Sequence, residues 1–271
     1  MPISALIFGA TGLTGRNLVS AAAALEQFSP LYTVSRRAPY TSPSAEDGSV
    51  KPAGKMTAVI EDNSDGEEAD SGSGSGDGPG KGGKWAAKLA EIATGEGKAG
   101  GRLDVVMSAL GTTRNNPGGL KGQWKIDHDL NIELAKAAKA AGVKTYLFVS
   151  SAGTRGYIAS MIPYSKMKVG VEDAIRDLGF EQAIILRPAA ILGARDRPHT
   201  GGPWLNNAVN SLAYISQGAR DAMGQDADVI AKAGLAAVMA AKEGKVPKGQ
   251  EGYWVLEGKD ILKLGRDEWK A

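Results

Sequence analysis

The chain has 271 residues, 42% of them hydrophobic, with 32 basic against 30 acidic side chains and a formal charge of +2. Charges so nearly balanced create no overall field for nucleic acid or a membrane surface, and the length suits one large domain or two small ones. The absence of cysteine excludes disulfides, thiolate metal sites and a cysteine nucleophile, and only two histidines, His128 and His199, are present for a histidine metal centre.

No run reaches the roughly 18–20 apolar residues a membrane span needs. The opening MPISALIFGATG is too short before its glycines for a secretory signal. It also lacks the arginine-rich character of a transit peptide. The fold is therefore expected to begin at residue 3, and the composition suits an intracellular protein.

The first apolar run, 3–8, reads as a strand, and residues 12–26 follow as a helix. Between them GATGLTGR sets Gly9, Gly12 and Gly15 at the mouth of the helix. Glycines there let the backbone approach a pyrophosphate, and the helix presents unpaired N–H groups and the positive end of its dipole. The spacing is G-x-x-G-x-x-G, a variant of the usual fingerprint. Dinucleotide binding is expected at Gly9, Thr11, Gly12, Leu13, Thr14 and Gly15.

A second strand at 31–35 ends in Ser35-Arg36-Arg37. An NAD site wants a carboxylate there, to accept from the ribose hydroxyls. Two guanidiniums instead suit a 2′-phosphate, so Ser35, Arg36 and Arg37 point to NADP(H). The third strand, 56–61, is followed by Asp62, a candidate for the adenine amino group. Residues 62–84 then run DNSDGEEADSGSGSGDGPGKGGK, which cannot bury enough apolar surface to offset its ordering entropy. This stretch is expected to be a disordered surface insertion, with a docking tail for a basic partner as the alternative reading. A glycine-rich patch at 95–101 reads as a loop.

The fourth strand, 103–110, ends in SALGTTR. Ala109, Leu110 and Gly111 are expected beside the inner ribose, with Arg114 as a candidate partner for a substrate carboxylate. A long helix is predicted over 123–141, and His128 within it reads as a packing or surface residue rather than a base.

The fifth strand, 145–150, ends in Ser150-Ser151. Thirteen residues after Ser151 comes Tyr164, in IPYSKMKV, with Lys168 one helical turn further on. Reducing a carbonyl requires a proton donor at oxygen while hydride arrives at carbon. A tyrosine titrates near ~10, and a neighbouring lysine cation favours its phenolate. Ser151, Tyr164 and Lys168 are therefore the predicted catalytic set, and Tyr164 and Lys168 also belong to the cofactor site. Ser165 and Lys166 are expected to face away from Tyr164.

A sixth strand spans 182–186. After Pro188 the alternation weakens. Helices are predicted at 204–217 and 227–242 and a strand at 252–256. This last third is expected to form a small cap on the substrate side, from 189–226 and 245–271, with Trp204 and Tyr214 lining an apolar, non-sugar pocket. Near-continuous apolar strands alternating with helices indicate a single doubly wound α/β domain over 1–271, with a mostly parallel sheet of the Rossmann type.

The series GATGLTGR, VSRR, SALGTTR, KIDHDLNIELAKAAKAAG, VSSAG, YSKMKVGVEDAI and LRPAAILG resembles the atypical short-chain dehydrogenase/reductases. The nearest likeness is to the fungal "found in mitochondrial proteome" group, which is related to a mammalian Tat-interacting protein. The resemblance covers nearly the whole chain except residues 62–84. It implies an NADP-binding Rossmann fold with Ser151, Tyr164 and Lys168 in the Ser/Tyr/Lys positions. Arg187-Pro188 would stand where the backbone passes the nicotinamide. It also implies peripheral attachment to the mitochondrial outer membrane, with a cytoplasmic location as the alternative.

Three functions fit these features. The first is an NADPH-dependent reductase of a small carbonyl compound. The second is a non-catalytic NADP(H)-binding regulator or scaffold. A nucleotide-sugar epimerase or dehydratase ranks third, because such enzymes carry longer substrate domains. No nucleic-acid partner is expected, and a homodimer through helices 123–141 and 164–178 is one option.

Overall fold

Seven apolar runs assemble into one parallel sheet in a computed structural model that describes residues 2–37, 39, 56–61, 83–95, 102–112, 118–193 and 217–270. In chain order the strands are β1 (Ile3–Phe8), β2 (Phe28–Ser35), β3 (Met56–Ile60), β4 (Val105–Ser108), β5 (Thr145–Val149), β6 (Gln182–Arg187) and β9 (Gly252–Glu257). They lie in the order β3-β2-β1-β4-β5-β6-β9. The strand order reverses between β1 and β4, and ligands of such sheets bind outside the carboxyl ends at that point.

Register places those ends side by side. Phe8 pairs with both Val34 and Ser108, Ser108 with Phe148, and Val149 with Leu186. The residues that follow each strand therefore leave the sheet along one rim. Every element of the candidate site hangs from it.

Because successive strand residues face opposite ways, the sheet feeds two cores. Ile7, Met107, Leu147 and Leu186 pack beneath α1 (Leu13–Ala24) and α7 (Ala227–Lys242). Leu6, Phe8, Val34, Tyr146 and Phe148 pack beneath α2 (Lys84–Thr94), α4 (Asn131–Ala140) and α5 (Pro163–Asp177). Burial on both faces explains why the strands read as continuous apolar runs rather than alternating ones.

Three differences from the sequence reading have physical reasons. The expected helix over 123–141 starts earlier and is interrupted: α3 (Gly119–Trp124) leads into a π turn (Lys125–Leu130) before α4. Side chains in that turn bond to the end of β4, as described below. The strand at 252–256 is not part of a cap. β9 pairs with β6 from Gln182↔Gly252 to Arg187↔Glu257 and completes the main sheet. The α8 helix (Gly258–Leu262) and a second π turn (Lys263–Asp267) then pack on α7, with Ile261 and Leu264 in its core. Lastly, Lys84 opens α2 rather than ending the insertion.

Outside the main sheet, β7 (Ala190–Leu192) pairs in parallel with β8 (Gly224–Asp226), which follows α6 (Gln217–Met223). Asp62, residues 63–82, Arg114, His199, Trp204 and Tyr214 lie outside the described residues. The flanks of 62–82 are neighbours all the same, because Trp85 Nε1 donates to the Glu61 carbonyl at 2.8 Å. An insertion between adjacent points leaves the surrounding fold intact.

Candidate functional site

The glycine loop is built by close backbone approach. Gly9 has φ +79°, and a Cβ there would lie 2.6 Å from the Ala109 carbonyl oxygen. At Gly15 a Cβ would lie 1.9 Å from the Gly9 oxygen. The loop thus wedges between the start of α1 and the end of β4, and only glycine fits at both places. Gly12 donates to Gly9 O at 2.9 Å and caps α1 without a side-chain partner. The first turn of α1 holds no acidic residue, so its dipole meets no carboxylate there. Thr14 is buried, Thr11 is half-buried, and Leu13 packs against Gly193 at the end of β7.

At the end of β2 the buried Ser35 hydroxyl donates to the Arg37 carbonyl at 2.6 Å. This tight turn leaves Arg36 and Arg37 exposed on the rim. Neither has an ion-pair partner among the described residues.

Across the switch point, Ala109, Leu110 and Gly111 leave β4, and the π turn holds them. Asp127 accepts from the Thr112 amide at 2.6 Å and from Gln123 Nε2 at 3.2 Å. Asn131 accepts from Ser108 Oγ at 2.6 Å, and its amide donates to the Ile126 carbonyl at 3.0 Å. Asp127 and Asn131 are fully buried. Burial pushes the Asp127 carboxyl above the usual aspartate range, although the Lys168 charge and the bonds from Thr112 and Gln123 oppose it. A π turn often marks a working site. Here it aims two polar side chains of one helix at the loop beside Gly9. His128, in the same turn, meets the Trp124 ring in a tilted contact with centroids 4.9 Å apart and packs on Gly170 of α5, which is a packing role.

The predicted catalytic residues stand on the next two rim segments. Pro163 at the first position of α5 starts the helix, and Tyr164, Lys168 and Glu172 follow at four-residue spacing on one stripe. Tyr164 is partly exposed and Lys168 is buried. Lys168 Nζ donates to the Val149 carbonyl at 3.0 Å and sits 4.7 Å from the centre of the Phe148 ring. This docks α5 on the end of β5, two residues before Ser151. Ser151 is half-buried, and Ala152 N donates to Pro188 O at 2.8 Å, joining the Ser151 loop to the end of β6. The structure thus brings Ser151, Lys168 and Pro188 to one corner, with Tyr164 one turn above Lys168. Ser165 and Lys166 are directed elsewhere, into a cleft of about 220 Å³ shared with Thr154, Arg155, Gly156, Ser160 and Val169.

Glu172 was not among the residues singled out in the sequence. It is fully buried and accepts from Ser150 Oγ at 2.5 Å, from Arg187 at 2.6 and 3.1 Å, and from Arg155 at 3.0 and 3.2 Å. Arg187 also reaches Glu257 at 2.9 Å, and Arg155 reaches Asp173 at 2.6 Å. Burial pushes the Glu172 carboxyl up, but the bonds from Arg187 and Ser150, the Arg187 charge and the Arg155 bond outweigh it. The group is held below the ordinary glutamate value. One carboxylate thereby ties together α5, the ends of β5 and β6, and the loop after Ser151. A signal existed in the sequence: Glu172 falls on the Tyr164–Lys168 stripe, where an unpaired carboxylate would be buried.

No protein-family model matches the chain. It is 44% identical over 267 residues to "Protein fmp52-2, mitochondrial" of Neosartorya fischeri, covering 98% of both chains. It is 44% identical over 269 residues to "Protein FMP52, mitochondrial" of Chaetomium globosum, covering 98% of this chain and 99% of that one. The chain belongs to the fungal Fmp52 family. Like other members of that family, it is similar over almost its full length to its relatives, including the Neurospora crassa protein at 40% identity. Among solved structures, a short-chain dehydrogenase/reductase of Saccharomyces cerevisiae superposes with a TM-score of 0.62 at 17% identity, covering 97% of this chain and 99% of that one. ElxO with NADP bound gives 0.57 at 13% identity, covering 96% and 99%. A UDP-glucuronic acid 4-epimerase of Bacillus cereus in complex with NAD gives 0.57 at 13% identity, covering 94% and 76%. These likenesses give this Fmp52-family chain the short-chain dehydrogenase/reductase fold. Among the described residues no helix is long and apolar enough to cross a membrane, and no cluster of three metal-ligating side chains occurs.

Proposed function

We propose that the chain is an NADPH-dependent reductase of a carbonyl compound, with Tyr164 as proton donor. The observation that carries this reading is the convergence on one rim of a glycine cradle, an exposed arginine pair and a buried lysine one turn from a tyrosine. The loop fits a dinucleotide: a Cβ at Gly9 or Gly15 would strike the protein's own backbone, so both positions stay free of side chains at the mouth of α1, whose first turn holds no competing carboxylate. Gly9, Thr11, Gly12, Leu13, Thr14 and Gly15 would hold the pyrophosphate, Ser35, Arg36 and Arg37 the 2′-phosphate, and Ala109, Leu110, Gly111 and Pro188 the inner ribose and nicotinamide. When bound, NADPH supplies the hydride that adds to the carbonyl carbon.

The side chains do the rest. Ser151 donates a hydrogen bond to the carbonyl oxygen and orients it. Tyr164 gives its proton to that oxygen as the C=O bond becomes C–OH, and is left as phenolate. Lys168, fixed to Val149 O at 3.0 Å, holds its positive charge one helical turn from the tyrosine that is left as phenolate. Its remaining N–H donors serve the ribose hydroxyls. The alcohol leaves, and water reprotonates Tyr164.

The test is a titration of NADPH and NADH against the full chain, followed by rates of NADPH oxidation over a carbonyl panel. NADPH is expected to bind more tightly, the preference falling at least tenfold in Arg36→Ala/Arg37→Ala. Tyr164→Phe should bind NADPH normally and lose turnover. Tighter NADH binding would overturn the cofactor assignment. Full turnover in Tyr164→Phe would overturn the mechanism, and binding without turnover on any carbonyl would favour a regulatory protein.

The relatives' names place them in mitochondria. We infer that this chain associates peripherally with the mitochondrial outer membrane. Carbonate extraction with protease protection on isolated organelles tests this; a protease-resistant matrix signal would overturn it.

A further inference from the structure

The turn that links Ser151 to Tyr164 carries an unusual surface. Eight large hydrophobic side chains are exposed among the described residues, and five of them fall between 157 and 164. Tyr157 is 83% exposed, Ile158 78%, Met161 62% and Ile162 48%. Scattered apolar side chains on a surface need no explanation, but a contiguous patch does. Three backbone hydrogen bonds fold this turn on itself. Ser160 N donates to Gly156 O at 2.9 Å, Met161 N to Ile158 O at 3.1 Å, and Ile162 N to Ala159 O at 3.0 Å. The side chains are what the turn offers outward.

Charge says what suits them. The stretch YIASMIPY, 157–164, contains no ionisable side chain other than its two tyrosines. The flanking cations are occupied: Arg155 by Glu172 and Asp173, and Lys168 by Val149 O. Lys166 is exposed. At two residues from both Tyr164 and Lys168, it lies about 200° around the helix from each. Lys166 lines the cleft beside Gly156 and Ser160; among the described residues from 154 to 168 no other cation is without a partner.

We propose that the carbonyl group reduced at Tyr164 is borne on an apolar chain, and that Tyr157, Ile158, Met161 and Ile162 form the surface along which this chain lies. The inference rests on the reductase reading. It narrows the substrate class to lipophilic aldehydes and ketones, and away from nucleotide sugars. The turn runs directly into Tyr164 at the start of α5, so these side chains are the exposed apolar surface next along the chain from the proton donor.

The test measures NADPH oxidation by the full chain on straight-chain aldehydes from butanal to decanal, with glyceraldehyde as the polar comparison. A fully buried CH₂ is worth about fourfold in affinity, so a chain lying on an open surface should gain about twofold in kcat/KM per CH₂. The ratio of decanal to butanal, read within each variant, should fall at least fivefold in Ile158→Ser/Met161→Ser. It should keep its parent value in Ile60→Ser, an exposed position on the distant edge strand. As a readout independent of turnover, 1-decanol should bind the NADP⁺-loaded parent more tightly than 1-butanol does, and the double variant should lose that difference. Activity on glyceraldehyde and butanal with no rise along the series overturns this inference and leaves the reductase reading standing. Absence of NADPH oxidation on every aldehyde overturns both. A double variant that keeps the slope but loses self-association or binding to phosphatidylcholine vesicles would assign the patch to a second copy or a lipid surface, and overturn the proposal.

Discussion

Replacing Glu172 by glutamine keeps the shape of the side chain and removes its charge. The carboxylate receives five hydrogen bonds, from Ser150, Arg155 and Arg187, in a fully buried position. Glutamine has one acceptor oxygen. It can serve either the set at Oε1 (Ser150 and Arg187 Nε) or the set at Oε2 (both arginines), and it aims an NH₂ at the other. Breaking a buried pair from one side costs roughly 3–5 kcal/mol. Arg187 retains Glu257 and Arg155 retains Asp173, which points to the lower end, about 3 kcal/mol. At roughly 2–4 °C per kcal/mol for a large domain, Tm should fall by about 6–12 °C. Urea unfolding followed by tryptophan fluorescence reads the difference. The pH dependence has a definite sign. The folded carboxyl lies below the ordinary value of 4.5, so its contribution is complete above that value and is lost as pH falls through the folded pKa. The gap between parent and variant should be constant from neutral pH to about 5 and close below about 4.5. A gap under about 1 kcal/mol at pH 7, or one that persists unchanged into acid, would refute the reasoning.

Other outcomes follow from the same geometry. Gly15→Ala places a Cβ 1.9 Å from Gly9 O, so NADPH affinity, read by nicotinamide fluorescence, should drop at least tenfold. Gly265→Ala places one 2.0 Å from Val229 O, where the second π turn packs on α7. It should lower stability by roughly 1–3 kcal/mol in urea while NADPH affinity stays as in the parent. Asp127 shows the opposite linkage to Glu172: its folded pKa is raised above the usual 3.8, so its stabilising balance holds below that value and is lost as pH rises through the folded pKa. Asp127→Asn should therefore gain on the parent between pH 4 and pH 7 in urea midpoint; a gain that runs the other way would mean the Lys168 charge governs the site.

Several elements carry purely local signals. The span of β1, the glycines opening α1, the helix at 227–242 and the four-residue spacing of Tyr164 and Lys168 were all legible, because periodicity and backbone freedom act over a few residues. Tertiary structure decided where long-range partners meet. Glu172 reads locally as one more charge on an amphipathic helix; its burial depends on Arg187, fifteen residues on, and through Arg187 on Glu257 at the end of β9. The 252–257 strand reads equally well as a cap or as a seventh sheet strand until its register with β6 is known. The π turn at 125–130 has no local signature, because what holds it is the bonding of Asp127 and Asn131 to the end of β4. Propensity describes a segment alone, whereas buried polar groups must find their partners wherever the fold supplies them.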